Sequence, residues 1–91
     1  MNTTSFDDFK VGIMTNPFQK DLQFDVTLNT DSKIKVALLN ASGAPVRQKD
    51  FTAYSGVNYF ALQDLQGLSQ GIYILQIQNK DQTITRKLIK K

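Results

Sequence analysis

The sequence predicts a single all-β domain, folded as a sandwich of antiparallel strands. All eight acidic residues of the 91-residue chain are aspartates, so glutamate, one of the best helix formers, is missing. Seven short apolar runs are separated by turn-forming residues at a spacing of roughly 8–12 residues. One run, residues 22–28, alternates apolar and polar residues throughout, with the two-residue period of a strand. These observations favour two packed sheets over a helical fold.

The first two strands are predicted on either side of a proline turn. A short first strand covers residues 11–14, and residues 15–18 end it. Pro17 fixes its own φ angle, has no N–H to donate to a sheet and restricts the preceding residue to extended conformations. In the second strand, residues 22–28, the four apolar side chains all point to the same face.

The third and fourth strands are predicted to form a hairpin. Apolar residues alternate from residue 34 to residue 38, and residues 46–51 form the returning strand. Residues 40–43 are typical of a tight turn, in which Gly43 takes a positive φ angle. Pro45 fits this arrangement if it opens the returning strand, because a strand's first residue can lack the N–H.

The last three strands are predicted at residues 57–62, 72–78 and 83–89. The segment between the fifth and sixth strands is too long for a tight hairpin. We expect it to cross from one sheet to the other, with Leu65 and Leu68 plugging the open end of the core.

Residues 71–78 are the most hydrophobic segment of the chain. Gly71 begins the segment, and most of the residues after it are aliphatic, β-branched or aromatic. This profile predicts a central strand buried on both faces. The segment and the strand after it form a C-terminal hairpin, where we expect any recognition function to lie.

The composition argues against catalysis. The chain has neither histidine nor cysteine for a nucleophile–base pair, and its serines lie in predicted turns. Asp21 and Asp25 would lie on one strand face about 13 Å apart, farther than the paired carboxylates of glycosidases. Calcium is the metal best suited to the available oxygen ligands, but residues 29–32 are a turn signal first. We therefore expect a non-catalytic domain without a metal or cofactor.

The charge distribution argues against nucleic-acid and membrane partners. The net charge is +3, and the basic residues are scattered except near the C-terminus. Nucleic-acid binding usually needs a denser basic patch interleaved with exposed aromatics. The apolar runs are far shorter than the ~20 residues of a membrane-spanning helix. Residues 1–5 also lack the basic and apolar regions of a signal peptide.

Two features leave alternatives open. The basic and apolar residues of segment 86–91 suit either an edge strand protected by lysines or a docking strand that a partner extends by strand addition. Four aromatic residues suggest a sugar-binding platform. Because Tyr59 and Phe60 point to opposite faces and Tyr73 lies in the most apolar strand, core packing is the preferred interpretation. The four residues are Tyr54, Tyr59, Phe60 and Tyr73.

Four segments resemble, in the same order along the chain, the motifs of a known family of C-terminal sorting domains. This family is the type A sorting domain of cargo proteins that Bacteroidetes export through the type IX (Por) secretion system. The resemblance covers about residues 11–91. One departure is Thr15, which stands where the family usually has the first proline of a Pro-Asn-Pro opening. The similar segments are Asn16-Pro17-Phe18, the turn from Asn40 to Gly43 with Val46 after it, Leu68-Ser69-Gln70-Gly71-Ile72-Tyr73, and Arg86-Lys87-Leu88-Ile89-Lys90.

The resemblance implies a seven-stranded antiparallel immunoglobulin-like β-sandwich at residues 11–91. The polar residues 1–10 before it are expected to be a linker or lead-in segment. It implies a C-terminal sorting domain attached to an N-terminal cargo domain. An outer-membrane secretion translocon would recognise it, and a sortase-type peptidase would remove it upstream of the first strand. The protein would pass through the periplasm and end up secreted or at the cell surface.

By position, the resemblance implies two groups of functional residues. Translocon recognition would involve Gly71, Tyr73, Arg86, Lys87, Leu88, Ile89, Lys90 and Lys91. The structural motif residues would be Asn16, Pro17, Phe18, Gly43 and Leu68. The main alternative is a fibronectin-type or carbohydrate-binding accessory module of a secreted enzyme, with exposed aromatics as its working surface. A purely structural spacer is a third possibility.

Overall fold

The computed structural model describes residues 9–91, and this part of the chain contains seven strands and no helix. The all-β prediction is therefore confirmed, and the described part of the chain has no helix that would cross a membrane. The lead-in predicted at residues 1–10 lies outside the described residues except for its last two, and Lys10 opens the first strand. The strands are β1 (Lys10–Ile13), β2 (Leu22–Leu28), β3 (Ser32–Leu39), β4 (Pro45–Ala53), β5 (Gly56–Leu62), β6 (Gly71–Asn79) and β7 (Gln82–Lys90).

The strands form two antiparallel sheets packed as a sandwich. One sheet has three strands in the order β1-β2-β5, and the other has four in the order β4-β3-β6-β7. The segment between β5 and β6 crosses from the first sheet to the second, as predicted. The topology is immunoglobulin-like, although β4 pairs with β3, whereas the fourth strand of a constant-type immunoglobulin domain joins the other sheet.

The core lies between the sheets and follows the alternation of the strands. The four apolar residues of β2 are each at most 4% exposed, as the sequence pattern predicts. Leu65 is fully buried and Leu68 packs against the core. The crossover segment therefore closes one end of the sandwich, and this prediction is also confirmed.

The prediction that residues 71–78 are buried on both faces is wrong. β6 is a central strand, since it lies between β3 and β7. Its odd-numbered residues from Tyr73 to Ile77 point into the core, but Ile72 on the opposite face is 46% exposed. The reason is architectural: each sheet of a two-layer sandwich has only one covered face.

The predicted turn between β3 and β4 is confirmed. Gly43 has a φ angle of +89°, a conformation that side chains strongly disfavour. The side-chain oxygen of Asn40 accepts hydrogen bonds from the N–H groups of Ser42 and Ala44, and this holds the turn closed. Pro45 is the first residue of β4, the position that its missing N–H permits.

The sandwich has two distinct ends because its strands run up and down between them. Lys10 pairs with Thr27 near the end of β2, so the chain enters β1 at one end, which we call the N-terminal pole. The other end, which we call the motif pole, consists of residues 14–21, 40–44, 63–70 and 90–91. The connections at residues 29–31, 54–55 and 80–81 lie at the N-terminal pole.

Candidate functional site

The motif pole joins the predicted N-terminal motif to the last strand. The Asn16 side-chain oxygen accepts a hydrogen bond of 3.1 Å from the N–H of Ile89. The N–H of Phe18 donates to the Ile89 carbonyl at 2.9 Å, and the Phe18 carbonyl accepts from the N–H of Lys91 at 2.8 Å. The Asn16–Pro17 peptide bond is cis. The three hydrogen bonds hold the segment from Asn16 to Phe18 against the end of β7, so two motifs at opposite ends of the sequence lie in direct contact.

The motif around Tyr73 forms a structural corner at the same pole. The buried Tyr73 hydroxyl donates a 2.7 Å hydrogen bond to the carbonyl of Ser69, four residues earlier. This matches the tyrosine corner of immunoglobulin-like sandwiches. The ring of Phe18 packs edge-on against Tyr73, with 6.0 Å between ring centroids. Gly71 has a φ angle of +143°, and Leu68 packs on the core, so the whole segment shapes the entry to β6.

The basic residues at the end of β7 do not share one environment. Arg86, Lys87, Ile89 and Lys91 are exposed, whereas Leu88 is buried. Lys90 is only 6% exposed, and its amine donates a 2.9 Å hydrogen bond to the carbonyl of Lys91. The pleat explains the division from Lys87 onward, since alternate side chains of a strand point to the core and to the solvent. Arg86 is on the same face as Leu88 and Lys90, but its guanidinium reaches across to the carbonyl of Val11 on β1 and stays exposed.

β7 is an edge strand, as both interpretations of segment 86–91 require. The N–H and C=O of Ile89 point away from β6, because they bond to Asn16 and Phe18. The β6–β7 register is regular, so every second residue before Ile89 also directs its N–H and C=O outward. These residues are Thr83, Thr85 and Lys87. The edge is therefore closed at its terminal end and open before it.

An apolar surface lies on the outer face beside this edge. Ile72 and Ile89 are cross-strand partners and are 46% and 51% exposed. Ile74 is the partner of Lys87 on one side and of Leu39 on the other. We call this surface, formed by Leu39, Ile72, Ile74 and Ile89, the terminal patch. Sequence reasoning missed it because it placed β6 in the interior, although the alternation of the strand contains the signal.

The charge of β7 has one sign. Residues 82–91 contain Arg86, Lys87, Lys90 and Lys91 but no acidic residue. The Arg86 guanidinium donates to the carbonyl of Thr85 at 3.0 Å and to the carbonyl of Val11 on β1 at 3.5 Å. Arg86 therefore spans the gap between the edge strands of the two sheets and remains accessible to solvent.

The aromatic residues divide differently from the prediction. Core packing is confirmed for Tyr73 and for Phe60, which stacks on Phe51 with 4.4 Å between ring centroids. It is wrong for Tyr59, which points outward from β5 and is 70% exposed, and for Tyr54, which is exposed in a turn. A strand that faces solvent on one side leaves such a ring uncovered.

The segment considered for calcium binding has a structural contact. The Asp31 carboxylate accepts a 2.9 Å hydrogen bond from the N–H of Ser55, which links two turns at the N-terminal pole. Within residues 9–91, no group of three or more histidine, cysteine, aspartate or glutamate residues is arranged to hold a metal ion. The geometry of Asp31 is that of a turn contact.

Comparisons with known proteins identify the family and the fold of the chain. A family model described as the secretion system C-terminal sorting domain matches residues 13–91. No curated protein gives a significant match. Among solved structures, the chain is similar to a beta-glucosidase from Listeria innocua in complex with glucose. The sequence identity is 12%, the TM-score is 0.53, and the match covers 90% of this chain but only 16% of that one.

The similarity to the beta-glucosidase concerns the fold alone, because the identity is low and the match spans a small part of that enzyme. The family match is of a different kind, since it extends over nearly the whole chain. It includes the proline turn, the tyrosine corner and the basic last strand. The chain therefore belongs to the family of secretion system C-terminal sorting domains, non-catalytic signals that direct proteins to type IX secretion and thus to the cell surface or the medium.

Proposed function

We propose that this domain directs an attached N-terminal cargo protein across the outer membrane, and that the secretion machinery reads the C-terminal hairpin, β6 and β7. The single observation that carries the proposal is the separation of the two poles. The chain enters at Lys10 at the N-terminal pole, whereas the hairpin ends at the motif pole. A cargo domain attached upstream therefore leaves the motif pole uncovered.

The surface available to an outer-membrane translocon consists of exposed residues. Ile89 belongs to the terminal patch, and Lys87 and Lys91 lie beside it. All three are accessible, so we assign them to direct contact. Tyr73 and Leu88 are buried, and we assign them to folding. An apolar centre with a polar rim is a common arrangement in protein interfaces, and here the rim carries Lys87 and Lys91.

The remaining partners follow from the same proposal. The domain crosses the periplasm attached to its cargo. A sortase-type peptidase then cuts upstream of β1, in the linker expected at residues 1–10. Cleavage before Lys10 leaves each of the seven strands described in residues 9–91 uninterrupted.

A reporter fusion tests the proposal. A periplasm-targeted fluorescent reporter is joined upstream of residues 1–91 in a bacterium that has a type IX secretion system. We expect the fusion to reach the surface or the medium, while the reporter without the domain stays in the periplasm. Protease accessibility on intact cells gives the exported fraction. Retention of the intact fusion in the periplasm would contradict the proposal.

Carbohydrate binding is the second candidate, and one observation favours it. Tyr59 is exposed on the outer face of the three-stranded sheet, where its cross-strand partner is Asp25. The exposed ring can stack on a sugar, and the neighbouring carboxylate can accept hydrogen bonds from the sugar's hydroxyl groups. This function predicts saturable binding on a glycan panel that Tyr59→Ala abolishes. Absence of binding to every glycan tested would rule out carbohydrate binding as the function.

A further inference from the structure

We propose that β7 binds its partner by strand addition, in which an extended acidic segment of the partner pairs with the open edge between Thr83 and Lys87. The inference rests on the proposed function, since it names the chemistry of the segment that reads the hairpin. It requires three properties of the edge. Backbone groups must be unpaired, no proline or register shift may prevent pairing, and the charge of the edge must be opposite to that of the partner segment.

The outward backbone groups are available except for the Thr85 carbonyl, which accepts a 3.0 Å hydrogen bond from the Arg86 guanidinium. Thr83, Thr85 and Lys87 direct their N–H and C=O groups away from β6. Within residues 9–91, the three N–H groups have no backbone partner. A row of unpaired backbone groups on a regular strand is the surface that an added strand recognises.

The other edge of the same sheet is protected, whereas this one is regular. β4 begins with Pro45, and its pairing with β3 shifts register at Leu38 and Leu39. It also carries charges of both signs, including Lys49 and Asp50. β7 has nine residues without proline or register shift. Proline and irregular pairing are two of the means of preventing strand addition, and β7 has neither. An edge lysine is another, and β7 carries the exposed Lys87, so a strand added to this edge has to complement its charge.

The charge selects an acidic occupant. Lys87 is exposed on the edge, and the Arg86 guanidinium lies across it, held only by carbonyl oxygens at 3.0 and 3.5 Å. A carboxylate on the added strand offers Arg86 a stronger, charge-assisted partner than either carbonyl. A second copy of the chain would instead place the same cations against each other, which is unfavourable. An acidic segment of another protein therefore fits better than self-pairing.

The motif pole limits the length of the added segment. Asn16 and Phe18 already occupy the outward N–H and C=O of Ile89, so pairing ends before that residue. Three outward-facing residues remain, which corresponds to about five residues of partner strand, or about 17 Å. The N-terminal turn thus sets where the partner strand stops.

The test uses one threonine on each edge of the same sheet. Thr85→Pro removes an outward N–H and spares the hydrogen bonds to β6. Successive residues of a strand direct their N–H groups alternately to its two sides. Applied to the registers of β7 with β6, β6 with β3 and β3 with β4, this alternation places the N–H of Thr52 on the free edge of β4. Both residues are exposed, so Thr52→Pro is the matched control. Thr85→Val keeps the N–H and controls for the side chain.

We expect Thr85→Pro to lower the exported fraction of the reporter fusion about tenfold, because strand addition loses a backbone hydrogen bond and meets the proline ring. Thr52→Pro and Thr85→Val are expected to export like the unmodified fusion. Equal export of folded Thr85→Pro, or an equal loss with Thr52→Pro, would overturn strand addition while leaving the sorting function in place. Failure of the unmodified fusion would overturn both.

A second pair of variants covers the case in which Thr85→Pro fails to fold. Lys87→Glu reverses the charge at the edge, and Lys33→Glu makes the same change at an exposed position on β3. We expect about a tenfold loss of export for Lys87→Glu alone. Equal export of the two variants would overturn the proposal that the partner segment is acidic. So would a purified domain that sediments as a dimer and becomes monomeric with Lys87→Glu, because the edge would then belong to a second copy.

Discussion

Deletion of residues 87–91 is expected to abolish cooperative unfolding of the domain. The deletion removes Leu88, which is buried in the core, and all the backbone groups that Phe18 bonds. Loss of a buried leucine side chain alone typically costs 2–5 kcal/mol, whereas a small domain has about 5–15 kcal/mol in total. Thermal unfolding followed by circular dichroism measures the outcome. The shortened chain should show no sigmoidal transition.

Deletion of Lys91 alone is the control for this prediction. It removes two hydrogen bonds and no core side chain: the N–H of Lys91 donates to the Phe18 carbonyl, and the Lys90 amine donates to the Lys91 carbonyl. We expect a loss of about 2 kcal/mol with a cooperative transition retained. If the chain ending at residue 86 also melted cooperatively near the temperature of the intact domain, the role assigned to the end of β7 in the core would be wrong.

Because truncation is expected to unfold the domain, the export signal has to be studied with substitutions that leave the domain folded. Truncation of the last strand would abolish export even if the machinery never touched it, since an unfolded domain exposes no hairpin. Substitutions at exposed positions such as Lys87 and Ile89 avoid this ambiguity, because their side chains lie outside the core.

Phe18→Ala is expected to have the second-largest effect, a loss of about 3–5 kcal/mol in the free energy of unfolding. Phe18 is 1% exposed and packs edge-on against Tyr73, so the substitution leaves a cavity beside the tyrosine corner. The backbone bridge to β7 does not require the ring. Urea unfolding of the purified domain measures the change from the shift in midpoint.

Gln19→Ala is the matched control, one residue along the same turn. Gln19 is exposed, and substitutions at such positions usually change stability by less than ~0.5 kcal/mol. Equal effects of the two substitutions would mean that Phe18 adds no packing energy. In that case the turn would be attached to β7 by its hydrogen bonds alone.

The sequence predicted those parts of the fold that depend on local patterns. The alternation of residues 22–28 defines both a strand and its buried face, because the side-chain period is two. The turn at Gly43 follows from a conformation that glycine adopts readily. Leu65 had to be buried in a long connection at the end of the core, and it is.

The parts that depend on distant pairing were not predictable. Asn16 and Ile89 are 73 residues apart, and the sequence around neither residue indicates that the two form a hydrogen bond. Lys90 is buried because it falls on the inward side of the pleat, although its residue type suggests a solvent-exposed position. The terminal patch was missed because a hydrophobic run does not reveal which of its faces the fold leaves open.

The most direct test of the account compares two triple variants in the reporter assay. The first, Lys87→Gln with Ile89→Gln and Lys91→Gln, changes exposed residues near the motif pole. The second, Lys10→Gln with Lys33→Gln and Val57→Gln, makes the same changes in charge and apolarity toward the N-terminal pole. With both variants melting like the unmodified domain, the account predicts that only the first loses export. Equal export of the two would contradict it.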